Sequence, residues 1–234
     1  MKILAIDGSG LVASVAITED DNLLAEYTTG YKKTHSQTLL PMIDEITRML
    51  NLDLEEVDAL AVAAGPGSFT GLRIASATAK GIGLALDKPI IPVPTVDALA
   101  FNLWGCHDVI CPIMDARRGQ VYTGLYTFDE QNEFSVIKPQ CAVAFEEIAK
   151  AINELGRSVV FLGDGVPVFR TVIEDIIKVD FSFSPAGFNR QRAAAVAALG
   201  RKLFDEGQFE SADEHRPDYL RLSQAERERQ EKGL

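Results

Sequence analysis

Histidine, cysteine and tryptophan are scarce in this 234-residue sequence, which holds three, three and one of them. His35, His107 and His215 form no His-x-x-x-His pair, and no Cys-x-x-Cys occurs, so zinc would need ligands scattered over the fold. Cys106, Cys111 and Cys141 are odd in number and lie in or beside apolar runs, as expected of reduced buried thiols rather than a disulfide framework. No apolar run approaches the length of a membrane span, and the run opening MKILAIDG is too short for a signal peptide. A cytoplasmic chain without membrane attachment is expected. Basic runs are missing as well: 23 Lys and Arg face 34 Asp and Glu, for a net charge of −11. Phosphate neutralisation supplies most nucleic-acid affinity, so the chain is expected to meet any nucleic acid only through a partner.

Two familiar catalytic signatures are absent too. A phosphate-binding Walker loop requires a Gly-Lys pair at fixed spacing, and none follows Gly65 or Gly67. No Gly-x-Ser-x-Gly elbow supports serine catalysis.

The hydrophobic pattern is richer. Strand-like runs are expected at 1–7, 11–19 and 22–31, then a helix from Ser36 to Asn51 with Leu39, Met42, Ile43, Ile46 and Leu50 at helical spacing. Pro41 is expected near that helix's start. A strand at 58–64, a glycine loop, a helix over 69–87, a strand at 89–94 and a helix from Thr95 complete the first half. The second half repeats this order: strands at 108–115 and 120–128, a run near 134–144, a helix over 145–155 and a strand at 158–165. Asp7 and Asp115 end equivalent strands, and Gly65-Pro66-Gly67 matches Gly163-Asp164-Gly165. The expected fold is α/β, a duplicated β-β-β-α-β-α unit in the two-lobed actin, Hsp70 and sugar-kinase architecture. Lobes are expected at 1–104 and 105–212. Residues 213–234 are read as a segment running back along the lobes, ending in a charged tail with a Ser223/Glu226 capping box.

In that architecture the candidate nucleotide cleft comprises Asp7, Ser9, Asp115, Gly163 and Gly165. The constellation is thin: two glycines flank Ser9, neither half offers a catalytic Lys or Glu, and Arg117 has a salt bridge as an equal alternative to phosphate. No intrinsic cofactor is expected, and ATP or ADP would bind only weakly or at a complex interface. His35 is expected to cap the first helix. The stretch GPGSFTG at 65–71 admits two readings, an anion site at a helix N-terminus or a tight turn capped by Ser68 or Thr70.

The helix after that loop carries a second signal. Leu72, Ala75, Ala79, Ile82 and Leu86 form one apolar stripe, enough to dock it on its own sheet. The opposite side reads Ile74, Ala77, Thr78, Gly81 and Ala85, with charge only at Arg73, Lys80 and Lys88. Either the helix near 36–50 covers this second face, or it is a partner interface.

The segments MKILAID, HSQTLLPMI, GPGSFTGLRIA, AKGIGLAL, MDARRGQVY and PDYLR, in this order, resemble the bacterial TsaB (YeaZ) family over nearly the whole chain. The resemblance implies a non-catalytic paralogue of TsaD. Such a subunit works with TsaD and the ATPase TsaE to place threonylcarbamoyl on the adenosine 3′ of the tRNA anticodon. It implies a homodimer when the chain is alone and contact with tRNA only within the complex. TsaD carries a His-x-x-x-His metal dyad that is missing here. Departures from the family pattern are Gly8 and Gly10 beside Ser9, and Ala75 where glycine is common. The alternative from a different class is an autonomous ATPase or kinase acting on a small molecule; a peptidase is the third reading.

Overall fold

A computed structural model describes residues 1–31 and 34–220. Alternating and continuous apolar runs become two five-stranded mixed sheets. The first half contains β1 (Lys2–Asp7), β2 (Ala13–Glu19), β3 (Asn22–Thr29), α1 (His35–Leu50), β4 (Ala59–Gly65), α2 (Phe69–Leu86), β5 (Ile90–Pro94) and α3 (Thr95–Phe101). The second contains β6 (Val109–Asp115), β7 (Gln120–Phe128), β8 (Phe134–Ala144), α4 (Phe145–Leu155), β9 (Val159–Leu162), α5 (Val166–Ile176), β10 (Phe181–Phe183) and α6 (Ala193–Asp205). The sheet orders, β3-β2-β1-β4-β5 and β8-β7-β6-β9-β10, are the same. In each, the first three strands form an antiparallel meander, and the last two join it in parallel. The duplicated two-lobed α/β fold is therefore present, and each repeat closes with a further strand and helix.

Burial explains why the central strands read as apolar runs. Every residue of β4 is buried, because helices cover both faces of a parallel strand. One face of the first sheet packs under α1 and α2, with Leu39, Met42, Ile43 and Ile46 against Leu4, Ile6, Leu60 and Val62. The other face is built of small residues: Ala5, Ala16, Ala61 and Ala63 meet Ala193, Val196 and Ala197 of α6. The sequence places α6 within the segment 105–212 expected to form the second lobe, yet its sheet contacts are with the first. Ser14 Oγ and Glu26 Oε1 accept the N–H groups of Ala193 and Ala194, at 2.8 and 3.0 Å. Glu26 also pairs with Arg192, so first-sheet residues hold the positive end of this helix. The second lobe's core is aromatic instead, with Phe145, Phe161 and Phe169 packed under α4 and α5.

Pro41 differs from expectation. It is the seventh residue of α1, well inside the helix, on its solvent side. Exposure accommodates the ring, at the cost of one helical hydrogen bond. Beyond α6 the chain returns along the first lobe: Glu210 pairs with Ile90, and the Asp218 N–H donates to the Ala64 carbonyl at 2.7 Å. The charged tail and its capping box lie outside the described residues.

Candidate functional site

Two places gather the candidate residues: the cleft between the lobes and the outer side of α2. The cleft holds a cavity of about 520 Å³ lined by Ser9, Gly67 and Ser68 on one side, and by Asp115, Arg117 and Asp164 on the other. Of the cleft candidates, Ser9 and Asp115 reach it, whereas Asp7, Gly163 and Gly165 are not among its lining residues. Asp7 is buried at the end of β1, where its carboxylate accepts the Ser9 N–H at 2.8 Å and hydroxyl at 2.6 Å. Burial pushes its pKa up, and the Ser9 hydrogen bonds pull against that shift.

The glycines serve contact between two loops. Ser9's carbonyl accepts the Ser68 N–H at 2.7 Å, locking the β1–β2 turn to the start of α2. A Cβ at Gly71 would come within 3.0 Å of the Gly8 carbonyl, and one at Gly67 within 3.0 Å of Ser9's. Ser68 is the N-cap of α2, its Oγ accepting the Gly71 N–H at 3.4 Å. His35 departs from the expected capping role: it is the first residue of α1, and its Nε2 lies 3.0 Å from the Gly10 carbonyl. A Cβ at Gly10 would collide with the side chain of buried Gln191. Residues that look like a phosphate cradle in sequence are thus engaged with one another.

Across the cleft, Asp115 Oδ1 accepts the Arg117 N–H at 2.8 Å, and its Oδ2 lies 3.5 Å from the Arg117 guanidinium. The salt-bridge alternative for Arg117 is the one formed. Arg117 and Arg118 both adopt positive φ, at 65° and 57°, in the turn between β6 and β7. Asp164 is a lining residue that sequence reasoning passed over: its Oδ1 accepts the Asp115 N–H at 3.2 Å, and burial raises its pKa. Its place between two glycines was the available signal. Gly163, at φ 108°, lies where a Cβ would collide with the Ile113 carbonyl, and the Gly165 N–H donates to that oxygen at 2.9 Å.

On α2, Ala77, Gly81 and Ala85 are exposed, while Ile74 and Thr78 are half-buried. Ile74 and Ile82 pack against the core that α1 also buries, so α1 covers one flank only. Leu84, absent from the candidate set, is 60% exposed on the open side. The charges of the helix and its end are occupied within the chain. Arg73 Nε donates to the Tyr219 hydroxyl at 3.3 Å, and its guanidinium stacks over Phe69. Lys80 Nζ donates to the Asp213 and His215 carbonyls, each at 2.9 Å. Lys88 Nζ donates to the Glu55 carbonyl at 2.9 Å. Beyond exposed Thr70 and Arg73 near its start, the helix presents Ala77, Gly81, Leu84 and Ala85 to solvent.

The model of the TsaD family, tRNA N6-adenosine threonylcarbamoyltransferase, matches residues 22–229. The chain is 36% identical to the tRNA threonylcarbamoyladenosine biosynthesis protein TsaB of Bacillus subtilis, over 97% of this chain and 96% of that one. The chain belongs to the TsaB (YeaZ) family. The Escherichia coli TsaB is 29% identical over 94% of this chain and 95% of its own. YeaZ from Pseudomonas aeruginosa superposes with a TM-score of 0.80 at 25% identity, covering 94% of this chain and 99% of that structure. Both sites described above therefore lie within a fold shared along almost the full length of these TsaB-family proteins. Among the described residues, no His, Cys, Asp and Glu cluster could hold a metal ion, and no helix is long and apolar enough to cross a membrane.

Proposed function

We propose that this chain is a non-catalytic subunit in tRNA threonylcarbamoyladenosine synthesis, docking through α2 onto a TsaD-type paralogue that acts with TsaE. The observation carrying this reading is the stripe Ala77, Gly81, Leu84 and Ala85, apolar and uncovered while every cationic side chain of α2 is engaged elsewhere in the chain. Small residues let a foreign helix approach closely, and an exposed apolar patch marks an interface. In the free chain the same stripe meets its copy in a homodimer; TsaD, with a similar fold, replaces one copy. The net charge of −11 supports contact with tRNA only through that complex, in the cytoplasm.

The cleft supports a non-catalytic role. The Ser68 and Ser9 amides, which a phosphate would require, donate to Ser9 and Asp7, and among the described residues three aspartates (Asp115, Asp164 and Asp218) line the cavity against one arginine. These residues do not fit a nucleotide's phosphates without rearrangement, so ATP or ADP binds weakly at most or at the complex interface. The remaining cavity keeps the autonomous ATPase or kinase as the alternative. Steady ATP turnover by the purified chain, abolished by Asp7→Ala, would establish that alternative. Depleting the protein in cells and analysing tRNA nucleosides tests the pathway: threonylcarbamoyladenosine should fall, and an unchanged level removes the assignment. Docking is tested by Ala77→Arg and Gly81→Arg, which should stay folded yet lose TsaD. Gly81 has open space beyond its Cα, so the monomer tolerates the change.

A further inference from the structure

The C-terminal segment touches both sites. Around α2, one residue turns about 100°, so its surroundings divide into sectors. Leu72, Ala75, Ala79 and Gly83 are buried toward the sheet, and Ile74 and Ile82 face the core shared with α1. Phe69, Arg73 and Lys80 meet the C-terminal segment. The open stripe is the sector left between that segment and α1. The segment is therefore one wall of the docking surface.

Its grip on α2 runs from Phe69 to Gly83, about four turns. Tyr219 lays its ring 5.0 Å from that of Phe69, and its hydroxyl accepts from Arg73 Nε. Lys80 ties down the carbonyls of Asp213 and His215. The Ala212 methyl fills the space over Gly83, where a Cβ would come to 2.9 Å. Residues 218–220 of the same segment reach the cleft: Asp218, Tyr219 and Leu220 line the cavity, and the Asp218 carbonyl sits where a Cβ on Gly65 would be.

We propose that residues 213–220 form a latch coupling the interlobe cleft to the docking stripe. Seated, the latch fixes the first three turns of α2 in the orientation a partner reads. Lifted from the cleft mouth, it frees those turns and weakens docking. Hydrogen bonds to α2 and to the Ala64 carbonyl, one aromatic pair and the buried His215 hold it, less than the core beneath α2, so it can leave while the lobe stays folded. By linkage, a bound partner must in turn hold the latch closed. This inference rests on the stripe being the TsaD-docking surface.

The test uses the full chain, a purified TsaD homologue, and the variants Tyr219→Ala, Lys80→Met and Tyr219→Phe. Tyr219→Ala and Lys80→Met should each weaken TsaD binding about tenfold, because the competent orientation is less populated. Both should speed amide exchange over residues 69–76 and leave the core's thermal midpoint near that of the wild type. Tyr219→Phe, which keeps the ring pair, should retain most of the affinity. TsaD should slow exchange in residues 213–219. If Tyr219→Ala unfolds, Lys80→Met and Tyr219→Phe carry the test. Wild-type affinity and unchanged exchange in the folded latch variants, with binding abolished by Gly81→Arg, would overturn the latch and leave the docking reading intact. Wild-type binding by Gly81→Arg would overturn both.

Discussion

α2 and α5 occupy matching places, each following the parallel strand beside the centre of its sheet. Their outer faces diverge. α5 turns Arg170, Thr171, Glu174 and Asp175 to solvent, with Arg170 near Glu174 at 3.7 Å and stacked over Phe183. α2 exposes Thr70 and Arg73 near its start, and from Ala77 on it turns out only two alanines, a glycine and a leucine. An outward helix face normally carries charge, as α5 does. The same topology thus supports an ordinary wet helix in one lobe and a bare one in the other. The difference lies in side chains rather than in fold, and the proposed docking reading rests on it.

That contrast can be broken by placing one arginine on each face. Gly81→Arg should weaken TsaD binding at least about a hundredfold, as expected at the centre of an interface, while Thr171→Arg should leave it unchanged. Equal losses in a titration of both variants would remove the distinction between the lobes.

The next largest effect is on stability, and it separates two glycines of the same helix. Gly71→Ala forces a methyl onto the Gly8 carbonyl and should destabilise the fold by about 3 kcal/mol. Gly81→Ala meets open space and removes a helix-interior glycine, so it should stabilise by roughly 0.5–1 kcal/mol. Urea unfolding measures both; a stable Gly71→Ala would mean that the two loops can separate without harm.

The smallest effect concerns His215, whose side chain is buried in the returning segment with Nδ1 2.7 Å from Glu210 Oε1. Its Nε2 is buried without a hydrogen-bond partner among the described residues, and burial holds the imidazole's pKa below the ordinary 6.5. The folded chain therefore keeps this ring neutral at pH values where the unfolded chain already binds a proton. Its contribution is complete above the unfolded value and is lost as pH falls from there toward the lower folded value. Urea midpoints at pH about 7.5 and about 5.5 should fall further for the wild type than for His215→Gln. Equal losses in the two proteins would show that other groups set the acid response.

Much of the fold was legible from periodicity. The strand runs from 120 to 128 and from 134 to 144, and the helix from 145 to 155, coincide with β7, β8 and α4, because period and length separate strand from helix in such segments. β10 was not, since three residues carry no period. The site was less legible. Asp7 and Ser9 stand in sequence where a nucleotide cleft would need them, but only the fold reveals that they bond to each other and that Ser9 is locked to Ser68. Asp164 needed the cleft to bring it beside Asp115.

On α2 the division is sharpest. The order of residues alone determined that this helix has two faces without charge, because side-chain chemistry and a 3.6-residue turn are local properties. Which of them is open was decided by tertiary structure. Arg73 and Lys80 reach residues more than 130 positions later, α1 covers Ile74, and α6 crosses to the first sheet. Such contacts depend on where the chain returns in space, and no local pattern encodes that.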